Sequence, residues 1–165
     1  MTGNDTLEVL ETPGEGLSAA LHDWLRRHPV PHPSGKLLLL SPKARPDWGQ
    51  MMRQTCSLLL LPGGVRPPGS SGWNPCVVSY GSGSRDSITL SSIGQDHLSV
   101  AVQREIPTLS GEKLEEQEIV LPITPAVSSL WALAAAGGLL LLGAAPRLLM
   151  EEPIFSQPEE KQRGK

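Results

Sequence analysis

From Ile119 to Pro146 the chain carries no charged residue. Within that span Ala126–Ala145 (AVSSLWALAAAGGLLLLGAA) holds no polar side chain beyond Ser128 and Ser129. A helix that is apolar on every side belongs either in lipid or in a protein core. Twenty such residues reach across a hydrocarbon layer of about 30 Å, so residues 127–145 define a membrane-anchor alternative. Three features favour the core. Much of the stretch is Ala and Gly, which adds little to insertion but packs closely. The flanks carry Glu112, Glu115, Glu116 and Glu118 on one side and Arg147, Lys161, Arg163 and Lys165 on the other. A positive-inside orientation would then place the bulk of the chain outside, yet the acidic, polar start MTGNDTLEVLETPGEG does not read as a secretory signal. Finally, the strands upstream need a cover, and this is the one long apolar element that supplies it. Ala134 and Gly138, spaced as small-xxx-small, suit close packing in either setting.

The segments before it read as follows. Residues 1–16 form a loose arm. Leu17–His28 (LSAALHDWLRRH) sets apolar residues at 17, 20, 21, 24 and 25, one helical stripe, which Pro29, Pro31 and Pro33 end. Lys36–Leu40 and Cys56–Leu61 are short continuous apolar runs between Gly and Pro, the pattern of strands buried on both faces. Pro46–Gln54 between them reads as a short helix, so the two runs make a βαβ unit whose connection is close to the minimum length. From Pro75 onward the pattern becomes that of antiparallel strands. Cys76–Tyr80, Ser87–Ile93 and Leu98–Gln103 are strand-like, with a hairpin turn at Gly94–Asp96 and a further strand in Lys113–Leu121. The expected fold is one α/β domain over residues 17–150. Its mixed sheet begins as βαβ, continues with antiparallel strands, and is covered by the N-terminal helix and the apolar C-terminal helix. Residues 151–165 are expected to form a disordered polar tail.

A net charge of −3, a pI near 5.8 and scattered basic residues exclude the basic stripe of a nucleic-acid binder. Two cysteines, Cys56 and Cys76, cannot build an all-cysteine zinc site. The N-terminal stretch, which does not read as a secretory signal, implies a reducing, cytoplasmic setting with both thiols free, and each reads as a small buried hydrophobe. His22, His28 and His32 gather near the first helix and the prolines, where surface placement is the expectation rather than metal binding; no metal or other cofactor is expected. Glu115, Glu116 and Glu118 read as charges protecting an edge strand rather than as an acid–base pair.

Glycine follows both middle apolar runs, in Pro62–Gly63–Gly64 and in Tyr80–Asp86 (YGSGSRD). Glycine after a strand is a way to hold phosphate. A Walker loop is missing, because no glycine–lysine pair has the upstream glycine and the hydroxyl that it needs. A dinucleotide fingerprint is missing too: after Gly81 and Gly83 the third position is Asp86, and a strand follows instead of a helix. No nucleophile elbow fits either. The Pro62–Gly72 segment is expected to be a plain turn-forming connection. Tyr80, Gly81, Ser82, Gly83, Ser84, Arg85 and Asp86 remain the candidate ligand-binding loop, small, hydroxyl-rich and placed at the end of a buried strand. An anion there would meet backbone amides and Arg85.

The stretch VVSYGSGSRDSITLSSI (Val77–Ile93) resembles the opening of the C-terminal domain of Mur-type amide ligases, ATP-dependent enzymes of cell-wall synthesis. The likeness covers 17 of 165 residues: a strand, Tyr-Gly, a loop ending in Asp, and a second strand. The family's P-loop and its acidic and histidine motifs have no counterpart. The resemblance therefore implies a similar small α/β module without the ligase machinery, and no catalytic residue carries over. The leading expectation is a non-catalytic cytoplasmic module for a partner protein or a small anionic ligand. A membrane-anchored protein and an enzyme distantly related to the Mur ligases are the alternatives.

Overall fold

The computed structural model describes residues 6–31, 33–69, 72–124 and 126–154. Its main sheet has seven strands: β1 (Leu7–Leu10), β2 (Leu37–Leu40), β3 (Leu58–Pro62), β4 (Cys76–Gly81), β5 (Ile88–Ile93), β6 (His97–Val102) and β9 (Gln117–Pro122), in the order β1-β2-β3-β4-β5-β6-β9. β7 (Ile106–Pro107) and β8 (Lys113–Leu114) form a small antiparallel pair at one side. The helices are α1 (Leu17–Arg27), α2 (Trp48–Met51), α3 (Ser129–Leu142) and α4 (Pro146–Glu151). A single mixed sheet with helices packed on it is the expected fold class.

Two local readings change. Leu7–Leu10 is not part of a loose arm. It is the edge strand, parallel to β2 with Leu7 opposite Leu37 and Leu10 opposite Leu40. It sets Leu7 and Val9 on one face and Glu8 and Leu10 on the other, an alternation too short among polar neighbours to stand out in the sequence. The antiparallel region also begins later than Pro75, because β4 runs parallel to β3 and β5 parallel to β4. A six-residue connection suffices for that last pair because β4 and β5 overlap only at Tyr80–Ile88 and Gly81–Thr89. The chain steps sideways at the end of β4 and continues in the same direction, so no crossover is needed.

Along β2 and β3 every residue from Leu37 to Leu40 and Leu58 to Leu61 is buried, as continuous apolar strands require. Leu37, Leu39, Leu58 and Leu60 face the main core with α1 and α3; Leu38, Leu40, Leu59 and Leu61 face a smaller core with Met51, Trp48 and Trp73. The β1–β2 connection therefore crosses one face and the β2–β3 connection the other, while both step the same way across the sheet. Such crossovers have opposite hands, so only one of them follows the right-handed rule.

The apolar stretch is α3, buried from Ala132 to Leu142 and lying across β2, β3, β4 and β5 with α1 beside it. Ser128 caps its start by accepting from the Trp131 amide. Fourteen residues rise about 21 Å, and no described helix is long and apolar enough to cross a membrane. Gly137 and Gly138 let the helix settle on the strands. A Cβ on either would come 3.1–3.3 Å from Leu60, Ile88 or Leu39 side chains.

Leu140 is 1% exposed in this interface. Leu140→Ala is expected to destabilise the fold by about 2–5 kcal/mol, the usual cost of a leucine-sized cavity, read as a lower midpoint in urea unfolding with an unchanged slope.

Candidate functional site

Two cavities open at the carboxyl ends of the parallel strands, where open α/β sheets receive ligands. One, of about 700 Å³, lies over β1 and β2, between residues 12–16, Pro42, Lys43 and the start of α3. The other, of about 500 Å³, lies over β3 and β4 and is lined by Pro62–Gly64, Arg66, the 80–86 loop and Leu130.

The first cavity sits where the chain leaves β1 toward one face and β2 toward the other. The carboxylates at its edge are already matched within the chain. Glu11 fills the N-terminus of α1, accepting from the Leu17 amide at 2.7 Å and the Ser18 amide at 3.1 Å. Glu15 accepts from the Thr12 amide at 2.8 Å, the Thr12 hydroxyl at 3.0 Å, the Ser41 hydroxyl and the Lys43 amide. Burial alone would raise the Glu15 pKa, but these donors outweigh it and hold the carboxyl below its ordinary value. Trp131 closes one side, its indole N–H donating to the Glu15 carbonyl at 2.8 Å.

Tyr80 ties the two cavities together. It is fully buried, and its phenol donates to the Leu40 carbonyl at 2.6 Å. The β2–β3 ladder ends at Leu39 opposite Leu60, so without the phenol that carbonyl would lack this partner inside the core. Burial first, and then the Glu15 charge, push the Tyr80 pKa far up. The side chain is therefore a neutral strut rather than an acid or a nucleophile.

In the second cavity the glycines and Asp86 form one unit. Asp86 is 7% exposed. Its amide donates to the Gly83 carbonyl at 3.1 Å, and the Gly83 amide returns a bond to Asp86 Oδ2 at 3.0 Å. The carboxylate presses against Gly63 and Gly81. A Cβ on Gly81 would lie 2.6 Å from Oδ2, and one on Gly63 would overlap Oδ1. Neither glycine has a positive φ, so close approach of the carboxylate, not backbone freedom, is what excludes a side chain there. The glycines after β3 and β4 thus cradle the chain's own carboxylate. The Gly63 amide, donating to the Tyr80 carbonyl at 2.7 Å, holds the two strand ends together. Arg104 supports the loop from β6's far end, donating to the Arg85 carbonyl at 3.2 Å and to the Ser87 hydroxyl at 3.1 Å.

All seven residues of the expected loop line this cavity. Arg85 and Asp86 do not pair: Asp86 turns inward while Arg85 is exposed. The Pro62–Gly64 segment is more than a connection, since Gly63 and Gly64 share the cavity, and Arg66 and Leu130 join it. These four were missed because their proximity to the loop depends on the parallel β3–β4 pairing; the repeated pattern of apolar run followed by glycines was the available signal.

The remaining candidates lie apart. His22 Nδ1 donates to the Ser18 carbonyl at 2.8 Å, and His28 stands 4.7 Å from the Trp24 ring and 3.8 Å from a Glu152 oxygen. His32 lies outside the described residues. Among the described residues no three His, Cys, Asp or Glu side chains converge as metal ligands would. Cys56 is half-buried and its pKa is raised by burial against an opposing Lys36 charge, whereas Cys76 is exposed rather than a buried hydrophobe. Glu118 lies on edge strand β9, where it accepts from the Ser91 hydroxyl. No protein-family model matches the chain, and no curated protein matches it either.

Gly81→Ala is expected to destabilise by about 1–3 kcal/mol, and by much less in an Asp86→Ala background. A double-mutant cycle in urea that shows simple additivity would contradict the cradle. Glu15 supplies a pH dependence of known sign. Its folded pKa lies below the unfolded value, so its contribution is complete above about pH 4.5 and is lost as pH falls through the folded pKa. The difference in melting temperature between the native chain and Glu15→Gln should shrink on going from pH 7 to pH 3.

Proposed function

We propose that the protein is a cytoplasmic, non-catalytic binding module that holds a small anionic ligand in the cavity over β3 and β4. The observation that carries this reading is the pair Arg66 and Arg85. Both line the cavity, and among the described residues neither guanidinium takes part in an ion pair or a hydrogen bond. Two free guanidiniums over a wall of glycine backbone suit a planar or tetrahedral anion, because each presents several donors in a fixed fork. The Ser82 and Ser84 hydroxyls lie in the same wall, and Leu130 brings in the first turn of α3, the positive end of a fourteen-residue helix.

The larger cavity offers an anion one cation, Lys43, against two in the smaller. The α1 amides beside it already hold Glu11, and Glu15 adds negative charge. The described residues lining the smaller cavity include no His, Cys or Lys, which supports binding over nucleophilic catalysis. Its concavity supports a small ligand over a flat protein partner. Free Cys56 and exposed free Cys76 support a reducing, cytoplasmic setting.

Calorimetric titration of the full chain with phosphate, pyrophosphate and small dicarboxylates tests the reading. Binding of at least one, weakened about tenfold or more in Arg66→Ala and in Arg85→Ala and reduced by added salt, is the expected result. Both arginines are exposed, so the variants should keep the parent melting temperature. Absence of heat and of thermal stabilisation with every anion at millimolar concentration would overturn it.

A further inference from the structure

The floor of the same cavity is acidic, and this restricts which anion fits. Asp86 Oδ2 takes the Gly83 amide, but Oδ1 accepts no hydrogen bond from any described residue. Nor is Oδ1 sealed away: among the described residues the buried unpartnered side-chain atoms are His22 Nε2 and His28 Nε2. A carboxylate oxygen in a residue 7% exposed, opening into a cavity it lines, is an acceptor without a donor. Its position is fixed, since Gly63 and Gly81 close on it and the Gly83 amide anchors it. A fully deprotonated anion such as sulfate at the arginines would face this carboxylate with nothing but repulsion. An anion that also carries an O–H or N–H would meet it with a charge-assisted hydrogen bond.

Resting on the anion reading above, we infer that the ligand is bifunctional: an anionic group held by Arg66 and Arg85, and a hydroxyl or ammonium donor held by Asp86 Oδ1. Asp86 is then the residue that sets specificity, because a ligand lacking the donor leaves its lone pairs facing a like charge. Discrimination by a site built to pair with a substrate hydroxyl or amine greatly exceeds that of an apolar pocket.

Three probes separate the possibilities on the full chain: methyl phosphate, which has no donor beyond its anionic group, glycerol 3-phosphate, which adds hydroxyls, and phosphoethanolamine, which adds an ammonium. At least one donor-bearing probe should bind about tenfold or more tighter than methyl phosphate. In Asp86→Asn, which keeps the size of the side chain and an acceptor for the Gly83 amide, that preference should fall to about twofold or less, while methyl phosphate keeps or gains affinity. Loss for the ammonium probe alone identifies an amine ligand, and loss for the hydroxyl probe identifies a polyol. Equal binding of all three in the native chain, or a preference that survives Asp86→Asn, overturns the inference and leaves the anion reading standing. Failure of all three to bind overturns the inference, and overturns the anion reading as well where phosphate, pyrophosphate and the dicarboxylates also fail. Should Asp86→Asn not fold, amide chemical shifts of the native chain still decide. The donor-bearing probes must move the Gly83 amide and methyl phosphate must not; equal shifts from all three overturn the inference.

Discussion

The contact between α3 and the leucine face of the sheet is the constraint on which the rest of the molecule depends. β2 and β3 present Leu37, Leu39, Leu58 and Leu60 to one side, and α3 returns a surface of Ala, Gly and Leu with no polar atom to satisfy. Burial of each leucine-sized side chain contributes on the order of 2 kcal/mol, and Gly137 and Gly138 bring the helix within van der Waals reach of the strands. Because β1, α1 and β4 are assembled around that contact, the position of every strand end follows from it. So does the fate of the apolar stretch: the sheet supplies a surface of matching chemistry within the same chain, and the helix that lies on it runs for fourteen residues.

The strand ends in turn decide which of two similar depressions has binding capacity left. Over β1 and β2 the crevice lies where the connections diverge to opposite faces, the arrangement in which α/β folds bind ligands. Yet Glu11 occupies the helix amides and Glu15 gathers four donors. Over β3 and β4 the balance is reversed. Backbone glycines supply shape without side chains, Asp86 is held in place by them and by the Gly83 amide, and neither its Oδ1 nor the exposed Arg66 and Arg85 are neutralised by the chain itself. An unmatched acceptor in a fixed position, as Asp86 Oδ1 is, is what pre-organised recognition requires.

Much of this was legible in the residues. The 17, 20, 21, 24, 25 spacing gave α1, the LLLL runs at 37–40 and 58–61 gave doubly buried strands, and the Gly94–Asp96 turn gave the β5–β6 hairpin, closed by the Gly94 amide on the His97 carbonyl at 2.8 Å. What was not legible was long-range pairing. Leu7–Leu10 is too short and too polar in its surroundings to declare itself; it becomes a strand because β2 offers an unpaired edge. Cys76–Gly81 reads equally well as parallel or antiparallel, since its pattern carries no information about its neighbour. The same ambiguity concealed the site. Pro62–Gly64 and Gly81–Gly83 look like two unrelated turns until β3 and β4 are laid side by side, and only then do Gly63 and Gly81 enclose Asp86.

That enclosure also explains why a glycine-rich loop after a strand need not be a phosphate loop. A phosphate cradle leaves its amides free and places a helix behind them. Here the Gly83 amide is taken by a carboxylate, and β5 follows in place of a helix. The chain has put its own negative charge where a phosphate would otherwise settle, so under the proposed function the anion would sit further out, at the arginines. A buried carboxylate is costly to desolvate and contributes little to stability with a single hydrogen bond. Its retention in a cavity walled by residues with no side chains is easiest to understand if an incoming donor completes it. On that view the glycines serve the ligand indirectly: they fix Asp86, and Asp86 selects what the arginines are allowed to hold.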